Sequence, residues 1–381
     1  MHYLDHAATT PLIPEAAEAV AETARDAFAN PSSVHAFGRR ARAAVETARE
    51  RVAAAIGAPP GDVVFTAGGT EADNLAIKGA AAKARGHGNH LVVSAFEHHA
   101  VLDSAAALGR DGFEVSIAPV ERDGVVRPER VAELVRPSTV LVSMMAVNNE
   151  LGTIQPLRDV VDAVKGANER TLVHTDAVQA LPNVPVDVAA WGVDLASFAA
   201  HKLGGPKGVG ALYVRNRVPL EPVLHGGGHE RGLRSGTLNA PGAAGFGVAA
   251  EIAAKDVHER TERLLALRTR LLDGIRAAIP DVVVNGDLER RVAGNLHVSI
   301  PGAEGETMLV MLDDAGIACS AGSACQSGAV EPSHVLAAIG VPRRLAIGSL
   351  RITLGRTSTD ADVDALLAVL PGIAARARAL T

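Results

Sequence analysis

Short β-branched runs alternate with amphipathic stretches from about Asp62 to Val214. VVFT is followed by TEADNLAIKGAAAKA, LVVS by HHAVLDSAAALG, and VLVSMMAVN by LRDVVDAVKGAN, with TLVHTDA and DLASFAA further on. Strands alternating with helices predict a mostly parallel α/β sheet covered on both faces. Ligands of such sheets collect at the carboxyl ends of the strands, so chemistry is expected just after each strand. A helical stretch from roughly Ala240 to Ile279 follows the Gly-rich LHGGGHERGLRSGTLN and reads as the bridge out of a large domain. Beyond it, NLHVSI, GETMLVMLDDAG, PSHVLAAIG, SLRITLG and a terminal helix from about Thr359 predict a small α+β domain, with the first dozen residues packed onto it. The expected division is 15–250 for the large domain, with 1–14 and 251–381 forming the small one.

The 381 residues suit two such domains. A hydrophobic share of 48% with 21% charged residues excludes disorder as the main state. A net charge of −6 gives no basic footprint, which argues against nucleic acid or an anionic membrane as partner and for small-molecule chemistry. The N-terminus lacks the basic and apolar runs of a secretory signal, and no apolar stretch reaches the roughly 20 residues of a membrane span, so a cytoplasmic protein is expected. Two cysteines, Cys319 and Cys325, are too few for a disulfide framework. Aromatic residues are only 3%, which leaves histidine to stack on any planar cofactor.

Three strand ends carry candidate chemistry. VVFT runs into GGTEADN, where Gly68 and Gly69 permit close backbone approach and Thr70, with Asp73 three residues on, can cap a helix whose N-terminus would hold a phosphate; an ordinary capped turn has the same pattern. Asp176 ends TLVHTDA, with Gln179 three residues later, and a carboxylate there can keep a pyridinium nitrogen protonated; alone it would read as a helix cap. Lys202 follows DLASFAA in HKLGGPKGVGALYV, on a tight turn aimed into the crevice, where a desolvated lysine becomes a nucleophile towards carbonyls. Together the three point to pyridoxal 5'-phosphate (PLP) bound to Lys202 as a Schiff base. In ACSAGSACQSGAVEPSHVL, Cys325 lies among small residues with little capacity to pack, predicting an exposed, mobile and reactive thiol, whereas Cys319, after the apolar GIA, reads as a small buried hydrophobe.

The blocks YLDHAATT, NPSSVHAFGRRAR, FTAGGTEADNLAIKG, EHHAVLD, VNNELGTIQP, HTDAVQ, HKLGGPKGVGALY, GGGHERGLRSGTLN, SAGSACQSG, EPSHVLAAIG and SLRITLGR span nearly the whole chain. In this order they resemble the cysteine desulfurases of the NifS and IscS type, in the class V aminotransferase group of fold-type-I PLP enzymes. The resemblance implies a large domain with a mostly parallel sheet of seven-stranded type plus the small α+β domain. Lys202 would carry PLP and move the Cα proton, Asp176 would pair with the pyridinium nitrogen, Gln179 with the ring hydroxyl, and His98 would stack on the ring as acid and base. Gly69, Thr70 and His201 would bind the phosphate, joined by Thr237 from the other subunit of a homodimer. Arg351 would clamp the substrate carboxylate, assisted by Asn30 and by Asn149, which would also touch the cofactor.

The implied reaction takes sulfur from L-cysteine, leaving L-alanine and a persulfide on Cys325, whose loop in the small domain delivers it to a sulfur-acceptor protein, a scaffold or a tRNA-thiolation enzyme. No resident metal is implied, although Cys325 would transiently touch an iron–sulfur cluster during transfer. SFAAHK departs from the family in having Ala199 where a phosphate-binding serine is common, and ARARALT follows the final helix without the tail that some relatives use to dock a scaffold. Three further readings compete: a selenocysteine lyase, an aminotransferase for small amino acids, and a non-catalytic sulfur-relay or scaffold partner. An aminotransferase has no need of Cys325, and a non-catalytic partner none of Lys202.

Overall fold

The computed structural model describes residues 1–321 and 332–380. The chain opens with β1 (His2–Tyr3). It then lays down β2 (Val63–Thr66), β3 (His90–Ser94), β4 (Glu114–Ala118), β5 (Thr139–Ser143), β6 (Leu172–Asp176), β7 (Leu195–Ala199) and β8 (Gly210–Val214). These seven form one sheet in the order β2-β8-β7-β6-β5-β3-β4, parallel throughout except that β8 runs against both its neighbours. β2, β3, β5, β7 and β8 are buried along their whole length, as continuous apolar runs sandwiched between helix layers should be. β4 was not evident in the sequence because EVSIA, at the sheet edge, leaves Glu114 and Ile117 exposed.

β9 (Val283–Val284), β10 (Asn295–Ser299), β11 (Ile317–Ala318) and β12 (Ser349–Thr353) follow the long helices. β12, β10 and β9 make an antiparallel sheet over a second core built from Leu264, Leu271, Val298, Leu312, Ile352, Val363 and Leu370. β1 pairs in parallel with β11, His2 opposite Ile317 and Tyr3 opposite Ala318.

The stretch expected as one helix over Ala240–Ile279 is two, Ala240–Lys255 and Val257–Ala278. They break at Asp256, whose carboxylate is paired with both Arg260 and Arg356. Apolar positions recur at helical spacing on both sides of Asp256, so hydrophobic pattern alone gives no sign of the break.

Candidate active site

The carboxyl ends of β2, β3, β5, β6 and β7 deliver the candidate residues to one edge of the sheet. After β2 the chain enters the helix Gly69–Lys83, whose N-cap is Gly68 and which has no side-chain cap. Thr70 is therefore inside the first turn rather than capping it, and Asp73 is buried near His174 instead of closing a capping box. Gly69 is required by close approach, since a Cβ would meet Val178 Cγ2 at 2.7 Å. The uncapped N–H groups, Thr70, His201 and Lys207 line one crevice.

Asp176 ends β6 buried, with Oδ1 accepting from Val178 N at 2.9 Å. Burial raises its pKa, opposed by that hydrogen bond and by the charges of His98 and Lys202. Two residues earlier, His174 spans the sheet, with Nδ1 2.8 Å from Ser143 Oγ and Nε2 3.0 Å from Ser197 Oγ. Glu97 is buried beside them; its Oε1 accepts from Ser94 Oγ at 2.5 Å and Met145 N at 2.6 Å, and burial pushes its pKa up to about 8. Sequence reasoning passed over His174 and Glu97, although each is a polar residue beside an apolar or helix-forming run.

His98 caps the helix His99–Arg110, its Nδ1 accepting from Ala100 N at 3.1 Å. The acceptor role at Nδ1 puts the proton of the neutral ring on Nε2. Desolvation lowers its pKa, with Lys202 adding to the shift and Asp176 opposing it.

Lys202 lies on the short turn after β7, which Gly204, at φ +85, reverses beside Ile13. Its Nζ donates to Ala7 O at 2.6 Å and Ala8 O at 2.8 Å. Burial, with help from Arg351, lowers the amine to about 8, while Asp176 and Asp5 pull the other way. Gln179 Nε2 also donates to Ala7 O, at 2.9 Å, and His201 Nδ1 is 3.1 Å from Thr9 Oγ1. Desolvation and two lysines hold His201 near 4, so it is neutral at physiological pH.

Residues 5–10 thus form a strap touching Lys202, Gln179 and His201 on one side and Arg351 on the other. From β12, Arg351 Nη2 bonds Asp5 Oδ1 at 2.9 Å and Nη1 bonds Asn149 O at 3.1 Å, while buried Nε has no partner among the described residues. A cavity lined in part by His6, Ala7 and Thr10 of this strap shares Lys202, Gln179 and Asn149 with the site but none of Asp176, His98 or Arg351.

Asn30 and Thr237 are exposed, and neither lines either cavity of this single chain. Asn30 instead closes a turn through Oδ1 and Ser32 N at 2.9 Å. Cys325 lies outside the described residues. Cys319 packs against the second core, and burial pushes its thiol up to about 12.

A strand-end carboxylate, a desolvated lysine, a histidine N-cap and an open helix N-terminus lie at one edge of the sheet, and the chain matches the Aminotransferase class-V family over residues 2–366. The chain belongs to that family. Within it, the relatives are cysteine desulfurases: it is 45% identical to cysteine desulfurase IscS of Methanosarcina thermophila, covering 99% of this chain and 92% of the relative. It is 48% identical to the IscS-like cysteine desulfurase of Mycobacterium tuberculosis, over 99% and 97% respectively. Among solved structures, a NifS-like protein superposes with a TM-score of 0.93 at 39% identity, covering 99% of this chain and all of that one. SspA in complex with cysteine superposes with a TM-score of 0.83 at 35% identity, over 94% and 100%. The chain is accordingly a class-V member of the NifS and IscS type, a PLP-dependent group.

Proposed function

We propose that this class-V enzyme removes sulfur from L-cysteine, leaving L-alanine, and passes it through Cys325 to a protein of iron–sulfur cluster assembly or of tRNA or cofactor thiolation. The observation that carries the reading is that Lys202 interacts electrostatically with Asp176, His98 and Arg351 in a chain whose full-length relatives are cysteine desulfurases.

The residues present fit PLP. The open helix N-terminus at Gly69, Thr70 and neutral His201 would receive the phosphate, and Lys207 adds charge. Asp176 would meet the ring nitrogen and Lys202 would hold the cofactor covalently. With Ala199 buried where a hydroxyl is common, phosphate binding falls to the backbone N–H groups and Thr70. When bound, PLP supplies the electron sink that makes the substrate Cα proton acidic.

Lys202, titrating near 8, takes and returns that proton with its neutral amine. His98 donates from Nε2, since Nδ1 is occupied by Ala100 N. Arg351 binds the α-carboxylate, the anion that its Nε, without a partner among the described residues, is suited to receive. The Cys325 thiolate attacks the substrate sulfur, forming an S–S bond as the Cβ–S bond breaks. Described residues on both flanks of Cys325 are tied to the carboxylate site: Ser320 exchanges backbone hydrogen bonds with Arg351, and Ser333 Oγ donates to Glu150 at 2.5 Å.

The active unit is a cytoplasmic homodimer in this reading. Phe28, Val34 and Phe37 are exposed on one segment, Phe28 and Phe37 with ring centroids 5.8 Å apart, and such a patch suits burial by a second copy, which would also bring Thr237 to the phosphate. Among the described residues no helix is long and apolar enough to cross a membrane. Mass spectrometry after incubation with L-cysteine tests the function: one added sulfur on Cys325 and alanine in solution are expected, and alanine without label on Cys325 would refute the transfer step.

A further inference from the structure

We propose that Asp5 is a positioning residue whose carboxylate holds the Arg351 guanidinium in the empty site and is exchanged for the α-carboxylate of the incoming amino acid. The proposal rests on Arg351 being the carboxylate clamp of the function above.

Arg351 is 9% exposed, so its charge needs a counter-ion within the protein. Asp5 Oδ1 supplies it at Nη2, 2.9 Å away, with side-chain exposures of 10% and 17% for the pair. Asn149 O occupies Nη1 at 3.1 Å, and among the described residues Nε has no partner. A carboxylate grips a guanidinium through two neighbouring N–H groups, and two of the five, on different nitrogens, are already engaged. A second carboxylate shares the guanidinium with these partners or displaces one of them.

Asn149 O is the less able to move. It is backbone, in a turn pinned by Asn148 Oδ1, which accepts from Glu150 N at 3.0 Å and Leu151 N at 2.8 Å. The Asp5 carboxylate is a side chain that, among the described residues, hydrogen-bonds only Arg351. Its backbone is independently anchored: Asp5 O accepts from Tyr3 Oη at 3.1 Å and Ala8 N at 3.0 Å. The carboxylate can therefore swing off Arg351 without moving the strap that carries Ala7 and Ala8.

Two carboxylates beside one guanidinium repel each other, so Asp5 sets a ceiling on the affinity for the substrate anion. Neutralising it leaves Arg351 unpaired in the empty site and removes the competitor in the occupied one. Both effects tighten binding, the reverse of what loss of a structural anchor would do.

The test titrates the visible band of the PLP-loaded protein with L-alanine, and in parallel with ethylamine, which lacks the carboxylate. Asp5→Asn is expected to lower the dissociation constant for L-alanine about tenfold, a change of ~1.4 kcal/mol, and to leave that for ethylamine within about twofold. The KM for L-cysteine should fall with it, without a rise in kcat. Asp5→Ser serves as a second variant should Asp5→Asn fold poorly, with the same result expected. Unchanged or weaker L-alanine binding in the folded variants overturns the exchange. Wild-type protein that binds L-alanine no better than ethylamine overturns instead the assignment of Arg351 as clamp, and the exchange with it.

Discussion

The reactivity of Lys202 yields a number that can be measured before any turnover. Burial and the Arg351 charge bring its amine from 10.5 to about 8. At pH 7 an amine titrating at 8 is about one-tenth neutral, against roughly three parts in ten thousand for one titrating at 10.5, a ~300-fold enrichment of the nucleophile. Mixing cofactor-free protein with excess PLP and following the growth of the visible band from about pH 6 to pH 10 reads this directly. The rate should climb with pH and level off near 8. Arg351→Gln removes a cation that disfavours the ammonium form and should move the inflection up, whereas Asp176→Asn removes a stabilising anion and should move it down. A rate still climbing beyond about pH 10, or shifts of the opposite sign, would refute the argument that packing activates this lysine.

Cys325→Ser should keep the yellow colour and lose sulfide release from L-cysteine, while Cys319→Ala keeps both, as absorbance and a sulfide assay on the two purified variants will establish. Arg49 and Glu230 form a buried bidentate pair, both contacts 2.7 Å, so Glu230→Ala should cost about 3–5 kcal/mol and lower the Tm by roughly 5–15 °C, with Arg49→Met plus Glu230→Leu recovering most of it in a melt. His174 and His297 are held neutral by burial, each with a pKa of about 3, below the ordinary 6.5. Their stabilising effect is complete above about pH 6.5 and is lost as pH falls towards 3, at up to ~1.4 kcal/mol per pH unit for each; denaturant midpoints that do not change between pH 7 and pH 5 would contradict this.

Lys202 and Asp176 were legible because each follows an apolar strand whose end, in a parallel sheet, must open on the ligand crevice. The reading of Cys319 as a packed small residue likewise needed only its apolar neighbours. Thr70 was misread as a cap because Gly68 makes the turn with backbone alone, and pattern rules look for a side chain. The contacts of Lys202 and Gln179 with the strap were hidden for the same reason. Their partners are the carbonyl oxygens of Ala7 and Ala8, which every residue possesses. The pairing of Asp5 with Arg351 is a matter of three-dimensional register, since 346 positions separate them. β4 escaped because an edge strand is not obliged to be apolar.

The strap of residues 5–10 also sets an order of assembly. It is made before its partners Lys202, Arg351 and Thr353, which lie 195 to 346 residues further along the chain. Contacts of such long range form late, because loop closure must be paid before they are gained. The large sheet can therefore close over its core during synthesis while the lysine amine still lacks its two carbonyl acceptors. The surroundings of Lys202 and Arg351 are therefore completed late in folding, when this early segment is laid against both.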